Sequence, residues 1–321
     1  MKMHGPVPET GDAALTAILR DELARGNAML LRVAPILSHL LATPDHSLFS
    51  DELVARVRGM CHDMAWQILR AQAEATGEKG RDAFADRHGE DLAEHFFSSP
   101  ALLSHCHALA LEWQLSSRME QQYGFDPVLS PLLQDLIASP DASQSSAAMA
   151  SLAAQARFAQ AQRRMELPLA ELPGDLFHEM LLAWRSFNGH RRSDAMIRAE
   201  AKLRNSYDES TNRLALLARL ISGLGEAAVT ALDLSNAGVA LFLSALAACS
   251  GQSRSMATLA TSERQVVRLA LALRAAGLSR ELLEAQVLRL HPQADPQPAI
   301  TQMSQAEAAQ LIAEAGTLGV T

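Results

Sequence analysis

Histidine and cysteine have the widest chemical reach of any side chains in this sequence. His105-Cys106-His107 lies mid-chain, with Cys61-His62, His88 and His95 before it. On a helix, residues i and i+2 point about 200° apart, so His105 and His107 cannot share one ion. Cys106 falls on an apolar stripe with Leu102, Leu109 and Trp113 and reads as core. Asp91 and His95 are four apart and could face one another. A zinc site needs four well-placed ligands, and no such spacing occurs. Asp175-x-x-His178-Glu179 matches half of a carboxylate–histidine motif found in metal-binding helical bundles. The sequence has no second half, and Asp175 reads more simply as a helix N-cap. There is no glycine-rich phosphate loop after a strand, no GxSxG and no HExxH. The expectation is a protein that is not an enzyme, with no catalytic residue, no metal and no cofactor.

Positive charge concentrates around Asn188-Gly189. Arg185, His190, Arg191 and Arg192 gather there, with Trp184 adjacent. Arginine and tryptophan are favoured at interaction hot spots, so these five residues form the candidate partner-binding surface. A solvated helix end is the other reading, because basic groups suit the C-terminal dipole. Met60, Met64, Met119, Met149, Met165, Met180 and Met196 are expected mostly in the core, although methionine also suits adaptable binding surfaces.

Composition narrows the class. The 321 residues are 48% apolar but only 4% aromatic, so the core is built from Leu, Ala and Met. Ala and Leu are strong helix formers, and no run alternates β-branched residues, so the fold class is all-α. A net charge of −8 disfavours binding to phosphate backbones. Three dispersed cysteines without a CxxC fit a reducing compartment. The N-terminal sequence lacks an apolar signal region. The longest apolar run, Ala237 to Cys249, is shorter than the roughly 20 residues of a membrane span. A cytoplasmic protein without a membrane partner is expected.

The elements that must carry these residues are announced by a repeat. Pro35 to Ser47 reads Pro-Ile-Leu-Ser-His-Leu-Leu-Ala-Thr-Pro-Asp-His-Ser, and Pro131 to Ser143 reads Pro-Leu-Leu-Gln-Asp-Leu-Ile-Ala-Ser-Pro-Asp-Ala-Ser. Each predicts a proline-opened helix, a turn at the second proline and an Asp-capped second helix. Ser99-Pro100-Ala101-Leu102-Leu103 is a weaker cousin. The pattern, with the Ala-rich run Ala147 to Ala154, resembles HEAT-type helical repeats. That resemblance implies stacked helical hairpins forming an α-solenoid that presents a surface to a protein or peptide partner.

Along the chain, residues 1–11 read as a loose tail and 12–166 as the HEAT-like domain. Within it, a first helix is expected to stop at Gly26-Asn27. The Pro/Gly-containing stretch 167–174 reads as a linker. Residues 175–291 read as a compact C-terminal helical domain, and 292–321 as a linker and short terminal helix. Ser262-Glu263-Arg264-Gln265 and Ser304-Gln305-Ala306-Glu307 carry capping-box patterns, and Gly223-Leu224-Gly225 and Gly277-Leu278 mark helix stops. The Pro-Asp repeats, Leu-Pro-Gly-Asp-Leu-Phe-His at 172–178 and Leu-Ala-Leu-Arg-Ala-Ala-Gly-Leu at 271–278 are similar to a family of all-helical alphaproteobacterial proteins without assigned activity. That similarity implies the fold class alone. Three functions follow as expectations: a scaffold or adaptor for protein partners, a small-molecule-binding sensor or enzyme with a pocket among the C-terminal apolar helices lined by 236–249, or, less favoured, a nucleic-acid-binding solenoid. Apolar C-terminal helices could also form a homodimer.

Overall fold

A computed structural model describes residues 10–42, 51–189, 193–294 and 298–317. The described residues form fifteen α-helices and four 3-10 segments, with no strand among them. The helices are α1 (Thr10–Ala42), α2 (Asp51–Thr76), α3 (Arg81–Phe96), α4 (Pro100–Tyr123), α5 (Pro131–Ile137), α6 (Ala142–Arg163), α7 (Gly174–Phe187), α8 (Asp194–Asn205), α9 (Arg213–Leu224), α10 (Leu234–Ser250), α11 (Arg254–Ala260), α12 (Val266–Ala275), α13 (Arg280–Leu290), α14 (Pro298–Gln302) and α15 (Gln305–Thr317). The chain divides into two compact units, one of residues 32–244 and one of residues 1–31 with 245–321.

In the 32–244 unit, α2 is the central element and packs against α3, α4 and α8. Its predicted stripe is buried: Leu53, Val57, Met60, Cys61, Met64 and Ile68. Leu92 and Phe96 of α3, Leu102 and Cys106 of α4, and Met180 and Trp184 of α7 close the same core. The second repeat folds as its sequence predicts. The Ser130 hydroxyl accepts from the Leu133 N–H at 3.3 Å, Pro131 opens α5, and Asp141 caps α6. Ser99 and Pro100 open α4 in the same way.

The first repeat is different. Pro35 opens no helix; it lies inside α1. The residue before it is Ala34, which has no side-chain oxygen to cap a new helix, whereas Pro131 follows a serine. The turn of the first copy, at 43–47, lies outside the described residues. Gly26-Asn27 does not stop α1 either. It is a contact point in the other unit, where a Cβ at Gly26 would lie 2.4 Å from Gln265 Oε1.

The stretch 167–174 behaves as a strap rather than a linker. Leu167, Leu169 and Leu172 are buried in the 32–244 core. Asp63 accepts from the Leu167 N–H at 2.9 Å, and Gln67 accepts from the Leu169 N–H at 3.0 Å while donating to the Leu167 carbonyl at 3.1 Å. Further on, Glu209 accepts from the Gly174 N–H at 3.1 Å, satisfying an orphan donor at the start of α7. Asp175 is therefore not the cap: α7 begins one residue before it.

In the other unit, α12 is apolar apart from Arg268 and Arg274 and is buried throughout Leu269–Leu273. It packs against α15, α13, α14 and α11. Ser304 and Glu307 form the reciprocal capping box expected of their spacing, Ser304 N–H to Glu307 Oε2 at 2.9 Å and Glu307 N–H to Ser304 Oγ at 3.2 Å. Ser262 forms no such cap, and a 3-10 turn at Glu263–Gln265 precedes α12 instead. Gly277 adopts φ +93° with Leu278 buried behind it, a left-handed helix stop. The stop after α9 falls on Gly225, the last residue of Gly223-Leu224-Gly225, at φ +54° and ψ −125°, while Gly223 lies inside the helix. Among the described residues one helical stretch, Arg213–Leu232, is long and apolar enough to cross a membrane (mean hydropathy 1.5), although it changes from α to 3-10 at Gly225.

Candidate functional site

The predicted partner surface is partly internal. Trp184 is fully buried, and its indole N–H donates to Gln72 Oε1 at 2.7 Å. Arg185 is drawn into an ion pair with Glu200, which Arg204 also reaches at 2.8 Å. These cations hold the Glu200 carboxyl below its usual range despite partial burial. His190, Arg191 and Arg192 lie outside the described residues.

The histidines and cysteines do not converge. No group of three His, Cys, Asp or Glu side chains suited to a metal occurs among the described residues. His95 approaches the backbone carbonyl of Asp91 at 3.0 Å, not its carboxylate, and its ring meets Phe187 edge-on. Cys106 lies against Cys61 in the core, and the hydrogen bond between them together with burial pushes its thiol well above the usual range. A thiol held protonated in this way is a poor nucleophile. Burial depresses His107 to about 4, so it stays neutral at ordinary pH.

A cleft of about 450 Å³ opens between α2, the strap and α8. Its floor is apolar: Leu169 from the strap, Leu203 from α8, and Phe177 stacked on Tyr207 with ring centroids 4.1 Å apart. Tyr207 is fixed by donating its hydroxyl to the Leu172 carbonyl at 2.9 Å. Burial and nearby carboxylates push that hydroxyl up to about 12, which makes it a poor proton donor at neutral pH. Trp66 stands at one wall, its indole N–H on Asp86 at 2.9 Å and the Arg70 guanidinium 4.6 Å over its ring.

The mouth of the cleft is charged. Glu74 on α2 has one carboxylate oxygen 2.6 Å from Lys202 on α8 and the other 3.5 Å from Arg81 on α3. The Lys202 contact, more than any other, lowers the Glu74 carboxyl below its usual range. Arg70 pairs with Asp82 at 2.7 Å. Beneath the cleft, Asp63 is pushed up to about 6, chiefly by burial, although the strap N–H and Gln67 both favour its charged form. A second hollow of about 230 Å³ lies on the other side of the strap, between it and α6. Residues 236–249, expected to line a pocket, line neither of these two.

None of this was marked by a motif. The one available signal was the pairing of Arg70, Glu74 and Trp66 on one face of a helix predicted from its stripe, at i, i+4 and i−4 spacing. No family model, no curated protein and no solved structure matches this chain.

Proposed function

We propose that the chain is a non-enzymatic helical scaffold or adaptor that holds a protein or peptide partner in the bacterial cytoplasm. The observation that supports this most is the α2–α8 cleft. It combines an aromatic and aliphatic floor with a charged mouth, the composition of a protein-binding patch. Its polar groups are spent on structure: Tyr207 on the strap, Trp66 on Asp86, and Gln67 on the strap backbone. The α5–α6 hairpin, opened by Ser130-Pro131 and re-capped by Asp141, supports the finer reading of HEAT-like stacking. Arg191 and Arg192, at the α7–α8 connection, remain the second proposed contact. The net charge of −8 argues against nucleic acid. A homodimer through the C-terminal helices would cover Leu282 and Leu288, both exposed on α13.

The test is affinity capture from native lysate with the full chain as bait. A reproducible partner should be lost with Arg191→Glu/Arg192→Glu or with Lys202→Glu; recovery undiminished by either set removes both surfaces. A small-molecule role is the second reading, because about 450 Å³ falls within the size range of ligand pockets. Native mass spectrometry of the freshly purified chain decides it, a clean apo mass counting against a resident ligand.

A further inference from the structure

We infer that the α2–α8 cleft docks an acidic peptide segment of a partner, whose carboxylate takes the place now held by Glu74 and whose adjoining aromatic or aliphatic side chain lies on the floor. This rests on the scaffold reading and specifies the partner's chemistry. Glu74 shows what the mouth recognises. Its two carboxylate oxygens meet two cations carried by different helices, Lys202 of α8 and Arg81 of α3. That is a receptor for one carboxylate, occupied by a side chain of the protein itself. Glu74 is exposed, so it can leave for water, and exposed ion pairs contribute little net stability. Of the three cations among the lining residues Arg70 is held by Asp82, which leaves Arg81 and Lys202, two cations, facing the one carboxylate of Glu74. The Lys202–Arg81 seat is thus locally complementary to a carboxylate, in a chain whose net charge is −8. Below the mouth, the half-exposed Trp66, Leu203 and Tyr207 offer apolar area, and Phe177, buried beneath, stacks on Tyr207 and fixes its ring. A bare carboxylate would leave that floor uncovered, and a segment carrying an acidic residue beside Phe or Leu would cover it. Glu74 then acts as an internal competitor that lowers affinity until the partner displaces it.

The experiment uses the full chain and a fluorescein-labelled peptide, Glu-Asp-Glu-Phe-Leu-Glu-Glu, read by anisotropy, with Gln/Asn and Ser-for-Phe/Leu versions as controls. Glu74→Gln should bind about three- to tenfold more tightly than wild type. Lys202→Glu and Arg81→Glu should each bind at least about tenfold more weakly, and added salt should weaken all binding. In nitrogen-15 spectra the indole N–H of Trp66, identified through Trp66→Phe, should shift on binding while that of buried Trp184 stays in place. All these substitutions lie at exposed or half-buried positions, and circular dichroism checks that each variant folds. Equal binding of the uncharged peptide, or Lys202→Glu and Arg81→Glu behaving as wild type, would overturn the inference. If a lysate partner is released by Arg191→Glu/Arg192→Glu but not by Lys202→Glu, the scaffold reading stands and the cleft inference falls. If the peptide binds as described and no lysate partner is ever recovered, the cleft inference stands and the scaffold reading falls.

Discussion

Each of the two units encloses an arginine almost completely, Arg213 in one and Arg268 in the other, and they treat it in opposite ways. In the 32–244 unit Arg213 is fully enclosed and bidentate to Glu112, at 2.7 and 2.9 Å. Gln155 accepts a further bond at 3.1 Å, and the guanidinium lies 3.6 Å over the ring of Phe158. In the other unit Arg268 donates to neutral groups: the Leu23 carbonyl at 2.8 Å, Asn27 Oδ1 at 2.6 Å and Gln252 Oε1 at 3.0 Å. Its Nε finds no partner among the described residues, and burial lowers its pKa to about 10. Arg213 ties α4, α6 and α9 together through a charge pair. Arg268 bridges α1, α12 and the turn after α10 with dipoles alone. A buried pair is costly to break but not necessarily costly to replace, whereas a buried single charge already carries its desolvation penalty in the folded state.

The largest expected effect separates these cases. Glu112→Gln leaves Arg213 enclosed without its counter-charge, and chemical denaturation should show a loss of about 3–5 kcal/mol. The combined Glu112→Leu/Arg213→Met variant should recover most of that loss, since neither charge then needs solvation. If the double variant is as unstable as the single one, packing and not charge explains the site.

Acid titration is the next lever, and two groups of the 32–244 unit, His107 and Asp63, respond to it in opposite senses. His107, depressed to about 4, favours the folded state above the ordinary histidine range and loses that contribution as pH falls from about 6.5 to 4. Asp63, raised to about 6, works in the opposite sense. Its burial costs stability at neutral pH, and the cost is relieved as pH falls through 6. Each shift corresponds to about 3 kcal/mol across its window, so the two groups oppose one another with similar weight. His107→Gln should make the unit more stable on going from pH 6.5 to 4.5, and Asp63→Asn should make it less stable over the same range. Two variants with equal slopes would show that neither group controls the acid limb.

Much of the fold could be read locally, and most of the candidate site could not. The stripes of α2 and α4, the Ser-Pro openings of α4 and α5 and the Ser304/Glu307 box depend on residues within a turn of one another. Periodicity reports such neighbours directly. Trp184 looked like a surface hot spot because its partner, Gln72, is 112 residues away. The strap looked like a linker because its Pro-Gly content is a loop signal, while its bonds go to Asp63 and Gln67 on α2, 104 and 102 residues distant. Gly26-Asn27 has the composition of a helix stop, yet Asn27 serves Arg268 across 241 residues. Tertiary demands overrode local propensity at each of these positions.

Arg268→Met tests the second half of the comparison. It removes a buried charge but leaves three acceptors without their donor. The desolvation relief offsets part of that loss, so the expected destabilisation is about 2 kcal/mol, below that of Glu112→Gln. A loss as large as that of Glu112→Gln would mean that the neutral cage holds its arginine as tightly as a carboxylate does.

The smallest effects come from two helical glycines, one in each unit. A Cβ at Gly59 on α2 would stand 2.7 Å from the Met165 carbonyl oxygen and 2.8 Å from its Cβ. Met165 itself holds φ +59°, an uncommon backbone state for a residue with a side chain, so it has little freedom to retreat. Nearby, Arg56 donates to the Gln162 carbonyl at 2.6 Å and fixes the end of α6 on α2. Gly59→Ala should therefore cost about 1–2 kcal/mol in spite of the better helix propensity of alanine. A Cβ at Gly26 on α1 meets Gln265 Oε1 at 2.4 Å, the far end of a flexible side chain. Gln265 can swing aside, and the propensity gain of up to about 1 kcal/mol partly offsets the cost, so Gly26→Ala should change stability by less than about 1 kcal/mol. Thermal unfolding of the two variants side by side measures the difference. If Gly26→Ala proves the more damaging, the Gln265–Arg268 side of the cage is rigid, and the unit that holds its arginine with dipoles is the stiffer of the two.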